Sequence, residues 1–269
     1  MPSGSNMRRR IDQLLADRGL CPSREQARRA VLAGEVKVDG EVVTKAGHLV
    51  DEDAELSVAE KPRFVSRGGT KLEGALDDFG LDVQGLRVID VGASTGGFTD
   101  CVLQRGAAEV TAVDVGYGQL AWSLRSDPRV RVFERTNIRT ADAEALGAPF
   151  DLAVVDVSFI SLRTVFESVV ALLGESGQLV ALVKPQFEIG KGRVGKKGVV
   201  RNESDHAEVL DNVRAAVEEA GWVVRGLTFS PITGPEGNIE FWLWAAREGV
   251  AADVEPEAVA RAAHEALGG

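Results

Sequence analysis

The stretch Val88-Ile89-Asp90-Val91-Gly92-Ala93-Ser94-Thr95-Gly96-Gly97-Phe98-Thr99-Asp100 decides how the rest of this chain reads. A β-branched apolar run stops at an acid, becomes a loop of small residues, and resumes with the spacing of an amphipathic helix. Strand, tight turn and helix start, in that order, mark the crevice where parallel α/β sheets bind nucleotide cofactors. Outward from it, strands expected at 86–91, 110–114, 130–133, 151–156 and 178–184 alternate with helices at 97–105, 118–126, 162–173 and 203–220. Such alternation predicts a doubly wound, mostly parallel sheet. Two last strands, near 222–230 and 239–246, flank Thr233-Gly234-Pro235-Glu236-Gly237-Asn238. They predict a hairpin that places an antiparallel strand in the sheet. The Ala-rich stretch Pro256–Leu267 predicts a closing helix.

The loop departs from the dinucleotide pattern G-x-G-x-x-G, because Ser94 stands between Gly92 and Gly97. A pyrophosphate would be repelled by Asp90, whereas a sulfonium amino acid with a free amine would be attracted. S-adenosylmethionine therefore fits better than NAD, with Asp90, Gly92, Ser94, Gly96 and Gly97 around it. Asp114 ends the second strand, placed to bond the ribose hydroxyls. Asn137 follows the third strand, within reach of an adenine. Two overlapping motifs fail. Gly92-x-Ser94-x-Gly96 imitates a hydrolase elbow, but it follows the first strand of the sheet, and His48, His206 and His264 are not at strand ends. Gly190–Lys197 imitates a P-loop but lacks the Ser or Thr that holds magnesium.

At 269 residues the chain has room for one large or two unequal domains. Its net charge of −10 hides two basic segments: eight basic residues against four acids between Arg8 and Lys37, and six against one between Lys184 and Arg201. An acidic protein with two basic surfaces is compatible with RNA binding. Cys21 and Cys101 stand far apart without partners at metal spacing, so neither a disulfide framework nor a metal site is expected. No apolar run approaches the roughly 18 residues of a membrane span. Met1–Asn6 lacks the apolar core of a secretion signal, and the expectation is a cytoplasmic protein without an obligate protein partner.

Residues 7–60 read as a small separate α+β unit. Ile11, Leu14 and Leu15, then Ala27, Ala30, Val31 and Leu32, recur at helical spacing. Ser23 is placed to cap the second helix, and Val36–Val43 folds back at Asp39-Gly40. Ala54–Val58 supplies a further strand. This helix–helix–hairpin, with Ser23-Arg24-Glu25-Gln26-Ala27-Arg28-Arg29 and Gly34-Glu35-Val36-Lys37-Val38-Asp39-Gly40, resembles the S4 RNA-binding module. The resemblance implies that Arg24, Arg28, Arg29 and Lys37 face structured RNA. Residues 61–66 read as a linker, 67–247 as the sheet domain and 248–269 as a tail, helical at its end.

Four polar residues sit where packing does not account for them. Asp156 and Lys184 end apolar strands, at the rim where α/β sheets bind substrates. Lys71 follows Gly68-Gly69, and Glu240 begins the last strand. Taken together, Lys71, Asp156, Lys184 and Glu240 resemble, one by one, the K-D-K-E set of the FtsJ-like ribose 2′-O-methyltransferases. With the S4-like front and the joining segment Arg63–Gly69, residues 7 to about 247 look like the TlyA family of ribosomal RNA methyltransferases, also called haemolysin A. The resemblance implies a Rossmann-like S-adenosylmethionine-dependent methyltransferase sheet, a catalytic role for the four residues, and methylation of a cytidine 2′-hydroxyl in ribosomal RNA of one or both subunits. It also implies support of sensitivity to capreomycin and viomycin. Arg67 and the basic loop carrying Lys191, Arg193, Lys196 and Lys197 are expected to touch the RNA backbone.

A ribose 2′-hydroxyl is a poor nucleophile until its proton leaves. A lysine can take that proton only where desolvation or a neighbouring cation favours its neutral form. Lys184 is the expected base and Lys71 the neighbouring cation. Asp156 and Glu240 orient the ammonium groups and act in the opposite electrostatic direction. A thioether leaves uncharged, so neither a general acid nor a metal is required. Three rival readings are an RNA-binding protein with a non-catalytic sheet, a pore-forming haemolysin, and a methyltransferase for proteins or small molecules. The complete four-residue set, the missing apolar span and the basic segments, in that order, speak against them.

Overall fold

The computed structural model describes residues 7–59, 62–190 and 192–268, and divides into two compact units, Met1–Pro62 and Arg63–Gly269. In the first unit, β1 (Arg8–Arg10) leads into α1 (Ile11–Asp17) and α2 (Arg24–Leu32). They are followed by β2 (Val36–Val38), β3 (Glu41–Val42), β4 (Leu49–Asp51) and β5 (Leu56–Val58). Ser23 caps α2 by accepting the Gln26 N–H at 3.2 Å. The β2–β3 turn has positive φ at both Asp39 and Gly40, the geometry that matches strand twist in a two-residue hairpin. Ile11, Leu14, Leu15, Ala27, Val31 and Val36 close the core. β1 and β4 pair with each other, Arg9 opposite Val50, and were not expected. Three consecutive arginines carry no strand period, and only their partner strand makes them one.

The second unit contains α3 (Arg67–Phe79), β6 (Arg87–Val91), α4 (Gly97–Gln104), β7 (Glu109–Val113), α5 (Trp122–Arg125), β8 (Val130–Phe133), α6 (Ala143–Leu146) and β9 (Phe150–Val155). It continues with α7 (Leu162–Val170), β10 (Leu173–Val183), α8 (Pro185–Glu188), a 3-10 turn at Lys196–Gly198, α9 (Glu203–Glu219), β11 (Val223–Phe229), β12 (Phe241–Ala246) and α10 (Pro256–Leu267). The sheet order is β11-β12-β10-β9-β6-β7-β8, with β12 antiparallel to both neighbours and the other pairings parallel. Alternate residues divide between two cores: Leu179, Ala181 and Val183 pack under α7, α9 and α10, while Val180 and Leu182 pack under α3 and α4. That period of two on a strand buried on both faces is the signature of a three-layer sandwich.

Four expectations needed correction. The helix at 118–126 shrinks to Trp122–Arg125, because Asp114 and Glu134 draw Gly116 and Gly118 N–H groups into a loop. α7 stops at Val170, and β10 starts at Leu173, with an irregularity before Gln178. Residues 63–66 are no linker: Phe64 is buried against α3 and the Val65 N–H donates to Asp100 at 2.8 Å. The tail is part of the sheet unit, with Val259 and Ala263 in its core.

His206, fully buried at the start of α9, meets His264 of α10 at 2.9 Å. Burial, aided by His264, pulls the His206 imidazole down to about 4. The unfolded chain, with a value near 6.5, takes up a proton that the folded chain refuses. The contribution of His206 to stability is therefore complete above pH ~6.5 and is lost as pH falls toward 4, by about 3 kcal/mol in all. His206→Gln should flatten that part of a melting-temperature profile between pH 4 and 7. Parallel profiles for the two proteins would contradict the assignment.

Candidate active site

The site is assembled by strand register. β6 ends at Val91, which pairs with Val155 of β9, so Gly92 and Asp156 emerge side by side. A methyl group at Gly92 would lie 2.1 Å from the Asp156 carbonyl oxygen, and its φ of +88° is a further demand for glycine. Asp156 in turn follows the strand paired with β10, after which comes Lys184. The antiparallel pairing of Val183 with Phe241 then brings Glu240 to the same rim as Lys184. A parallel β12 would have carried Glu240 to the opposite end of the sheet.

Around the loop, Asp114 accepts the Ser94 N–H at 2.7 Å and the Gly116 N–H at 2.6 Å, tying two turns together. Beside it lies a cleft of about 440 Å³ lined by Gly92, Ser94, Asp114, Gln119, Asn137, Ile138, Asp156 and Phe159, among others. A second cleft, of about 360 Å³, runs past Ser66, Arg67, Lys71, Gly97 and Pro235. The third, about 560 Å³, collects Lys71, Asp156, Lys184 and Glu240 together with Ser158, Lys197 and Asn238. Asp156 borders all three.

Within the third cleft the charges are paired. Lys71, on α3, donates to Glu240 Oε2 at 2.5 Å, and both side chains are buried. Lys184 pairs with Asp156 and donates to Ser158 Oγ at 2.9 Å. Breaking either pair leaves a poorly solvated charge, so each partner holds the other in place.

Asp90 lies under the loop rather than on a cleft wall. Thr99 donates to its Oδ2 from N–H at 2.9 Å and from Oγ1 at 2.6 Å, while Oδ1 is buried without a partner. Burial raises the carboxyl to about 7, against the pull of Thr99. An orphaned carboxylate oxygen under the loop, an acid at the end of the second strand that lines the adjoining cleft, and a backbone that excludes Cβ atoms fit a cationic nucleoside cofactor. An acid with a folded pKa above its unfolded ~4 holds its proton more tightly when folded. Its contribution to stability is greatest below pH ~4 and declines as pH rises toward 7. Asp90→Asn should remove that decline from melting profiles taken between pH 4.5 and 8. A variant profile with the wild-type slope would count against it.

The basic residues divide. Arg28 and Arg29 are exposed on α2, with only loose contacts of 4.0 and 3.8 Å to Glu25, and Lys37 is exposed on β2. Arg24 is engaged by buried Asp12 at 3.1 Å. Arg67 is exposed and donates to the Thr233 carbonyl at 2.9 Å. Arg193, expected to reach RNA, is instead bound by Asp205 and Glu208 of α9, the nearest carboxylates once the loop folds back. Lys191 lies outside the described residues, and Lys196 opens the 3-10 turn. Sequence reading missed Ser158 and Phe159. Phe159 has φ +65°, is 91% exposed, stands 5.3 Å from Phe187 and borders two clefts. Its position three residues after the strand-terminal Asp156 was the available signal.

Residues 64–247 match the FtsJ-like methyltransferase family and residues 9–56 the S4 domain. Fold and site thus define a methyltransferase carrying an S4 module. The chain is 49% identical over 239 residues to the 16S/23S rRNA (cytidine-2′-O)-methyltransferase TlyA of Mycobacterium tuberculosis, covering 88% of this chain and 89% of that one. It is 38% identical to hemolysin A of Brachyspira hyodysenteriae, over 86% and 97% of the two chains. A solved structure of a candidate hemolysin from Streptococcus thermophilus superposes with a TM-score of 0.75 at 45% identity, covering 98% of each chain. The chain belongs to the TlyA family of FtsJ-like methyltransferases. Among the described residues no helix is long and apolar enough to cross a membrane.

Proposed function

We propose that this enzyme transfers a methyl group from S-adenosylmethionine to the 2′-hydroxyl of a cytidine in ribosomal RNA, in the cytoplasm. The observation that carries the reading is Asp156, which borders both the loop clefts and the cleft of the four charged residues. Donor and acceptor sites therefore meet at one side chain. The bound cofactor would supply an electrophilic methyl on a sulfonium whose departure leaves a neutral thioether. The Gly92–Gly97 loop, Asp114 and Asn137 would hold it, and Asp90 supports the loop from beneath. Lys184, fixed by Asp156 and Ser158, accepts the proton from the 2′-hydroxyl. The Lys71–Glu240 pair positions the ribose and keeps a cation near the developing alkoxide. Arg28, Arg29 and Lys37 of the first unit, with Arg67 and Lys197 of the second, engage phosphates and give binding a strong salt dependence.

The relatives named as cytidine-2′-O-methyltransferases of ribosomal RNA support the acceptor. The test is a map of ribose methylation on ribosomal RNA from cells with and without the gene. One or more methylated cytidines should vanish without it, return when purified protein and S-adenosylmethionine are added to the subunits, and track sensitivity to capreomycin and viomycin. Identical maps would refute the reading.

A further inference from the structure

The turn that leads into Glu240 also grips a second segment. Asn238, almost wholly buried, accepts the Val200 N–H at 3.0 Å through Oδ1 and donates through Nδ2 to the Gly198 carbonyl at 2.9 Å. One carboxamide that satisfies a backbone donor and a backbone acceptor replaces a rung of a β-ladder. The gripped segment is itself tight: the Gly195 N–H donates to the Val199 carbonyl at 3.0 Å and the Gly198 N–H to the Gly195 carbonyl at 3.2 Å. Inside it Lys197 has φ +65°, a conformation that strains any residue with a side chain. The left-handed positions 190 and 198 carry glycine, whereas 197 carries lysine.

That lysine is exposed and borders the cleft of Asp156, Lys184 and Glu240. Lys71 and Lys184 each have a carboxylate partner, but among the described residues Lys197 has no ion-pair partner. An unpaired ammonium on a cleft wall, held there by a strained backbone, is suited to an anion that arrives with the substrate. In RNA that anion is the phosphodiester.

We propose that Asn238 is a positioning residue that ties residues 198–200 to the segment bearing Glu240 and so presents Lys197 to a phosphodiester of the acceptor strand. The proposal rests on the functional reading above and names one of its substrate contacts. Without the carboxamide, the Val200 N–H and Gly198 carbonyl lose their partners and the turn relaxes toward negative φ. The ammonium then leaves the cleft wall.

The experiment is steady-state methyl transfer from S-adenosylmethionine to ribosomal subunits over a range of salt, for wild type, Asn238→Ala, Lys197→Gly and the double variant. Lys197→Gly removes the ammonium while relieving the backbone. Each single change should raise KM for RNA about tenfold and lower the log–log salt slope by about one. KM for the cofactor should stay unchanged and kcat should stay within about twofold of wild type. The double variant should be no worse than either single one, because both act on one contact. Losses that multiply, or an unaltered salt slope in Lys197→Gly, overturn the proposal. If Asn238→Ala does not fold, the Lys197→Gly slope decides alone. Wild-type protein that transfers no methyl overturns the functional reading and this inference with it. Wild-type transfer with multiplying losses overturns only this inference.

Discussion

Lys184→Ala is expected to lower the single-turnover rate of methyl transfer to ribosomal RNA by roughly 10²–10⁴-fold, the range of a general base, with little change in cofactor affinity. Lys184 is the cation that meets Asp156, and Asp156 is where the clefts join. Lys71 is the more enclosed of the two: it and Glu240 are both buried in their pair at 2.5 Å, whereas Asp156, the partner of Lys184, is only half-buried and borders every cleft. The more telling variant is Lys184→Arg. A guanidinium keeps the positive charge and can still pair with Asp156, but it does not give up a proton in the accessible pH range. If Lys184 acts as a base, arginine should be nearly as inactive as alanine. If the charge alone matters, arginine should recover most of the rate, and that recovery would remove Lys184 from the role of base.

Gly92→Ala should have the largest effect on folding and cofactor binding together. The added methyl would sit 2.1 Å from the Asp156 carbonyl oxygen, which belongs to a strand terminus and cannot rotate away. The residue would also be held at φ +88°. Steric displacement added to backbone strain places the loss at about 3 kcal/mol or more. Gly80→Ala separates the two contributions: it too has positive φ, at the end of α3, but nothing lies within 4 Å of its added methyl. That variant should lose about 1 kcal/mol and keep its cofactor affinity. Chemical denaturation and cofactor titration of both proteins make the comparison, and equal stability of the two would show that the Gly92–Asp156 approach is not tight.

Both expectations depend on neighbours far apart in the chain, and this is where reading the sequence reached its limit. The strand–loop–helix at 88–100 was legible because turn chemistry and apolar period are local properties. The antiparallel last strand was legible for the same reason, from its turn and its period. α3 was obscured because Gly68 and Gly69 interrupt the helical period at its start. Their reason is tertiary: a methyl at Gly69 would lie 2.2 Å from the Phe64 ring. Arg193 read as an RNA contact because nothing nearby in sequence announces that α9 supplies two carboxylates. Asp90 read as a wall of the cofactor site, and only packing shows it beneath the wall with one oxygen unpartnered.

By itself, then, the sequence determined the class of sheet and the place of the glycine loop, which follow from residue type and short spacing. The S4-like front unit and the set of four charged residues were readable only through their resemblance to known families. Only the tertiary structure decided which lysine pairs with which acid, and that Asp156 borders all three clefts. Lys71 and Glu240 stand 169 residues apart and become a buried pair through an antiparallel register that no local pattern specifies. Ion pairs and close approaches depend on distances across the sheet, and those exist only once the strands have chosen their partners.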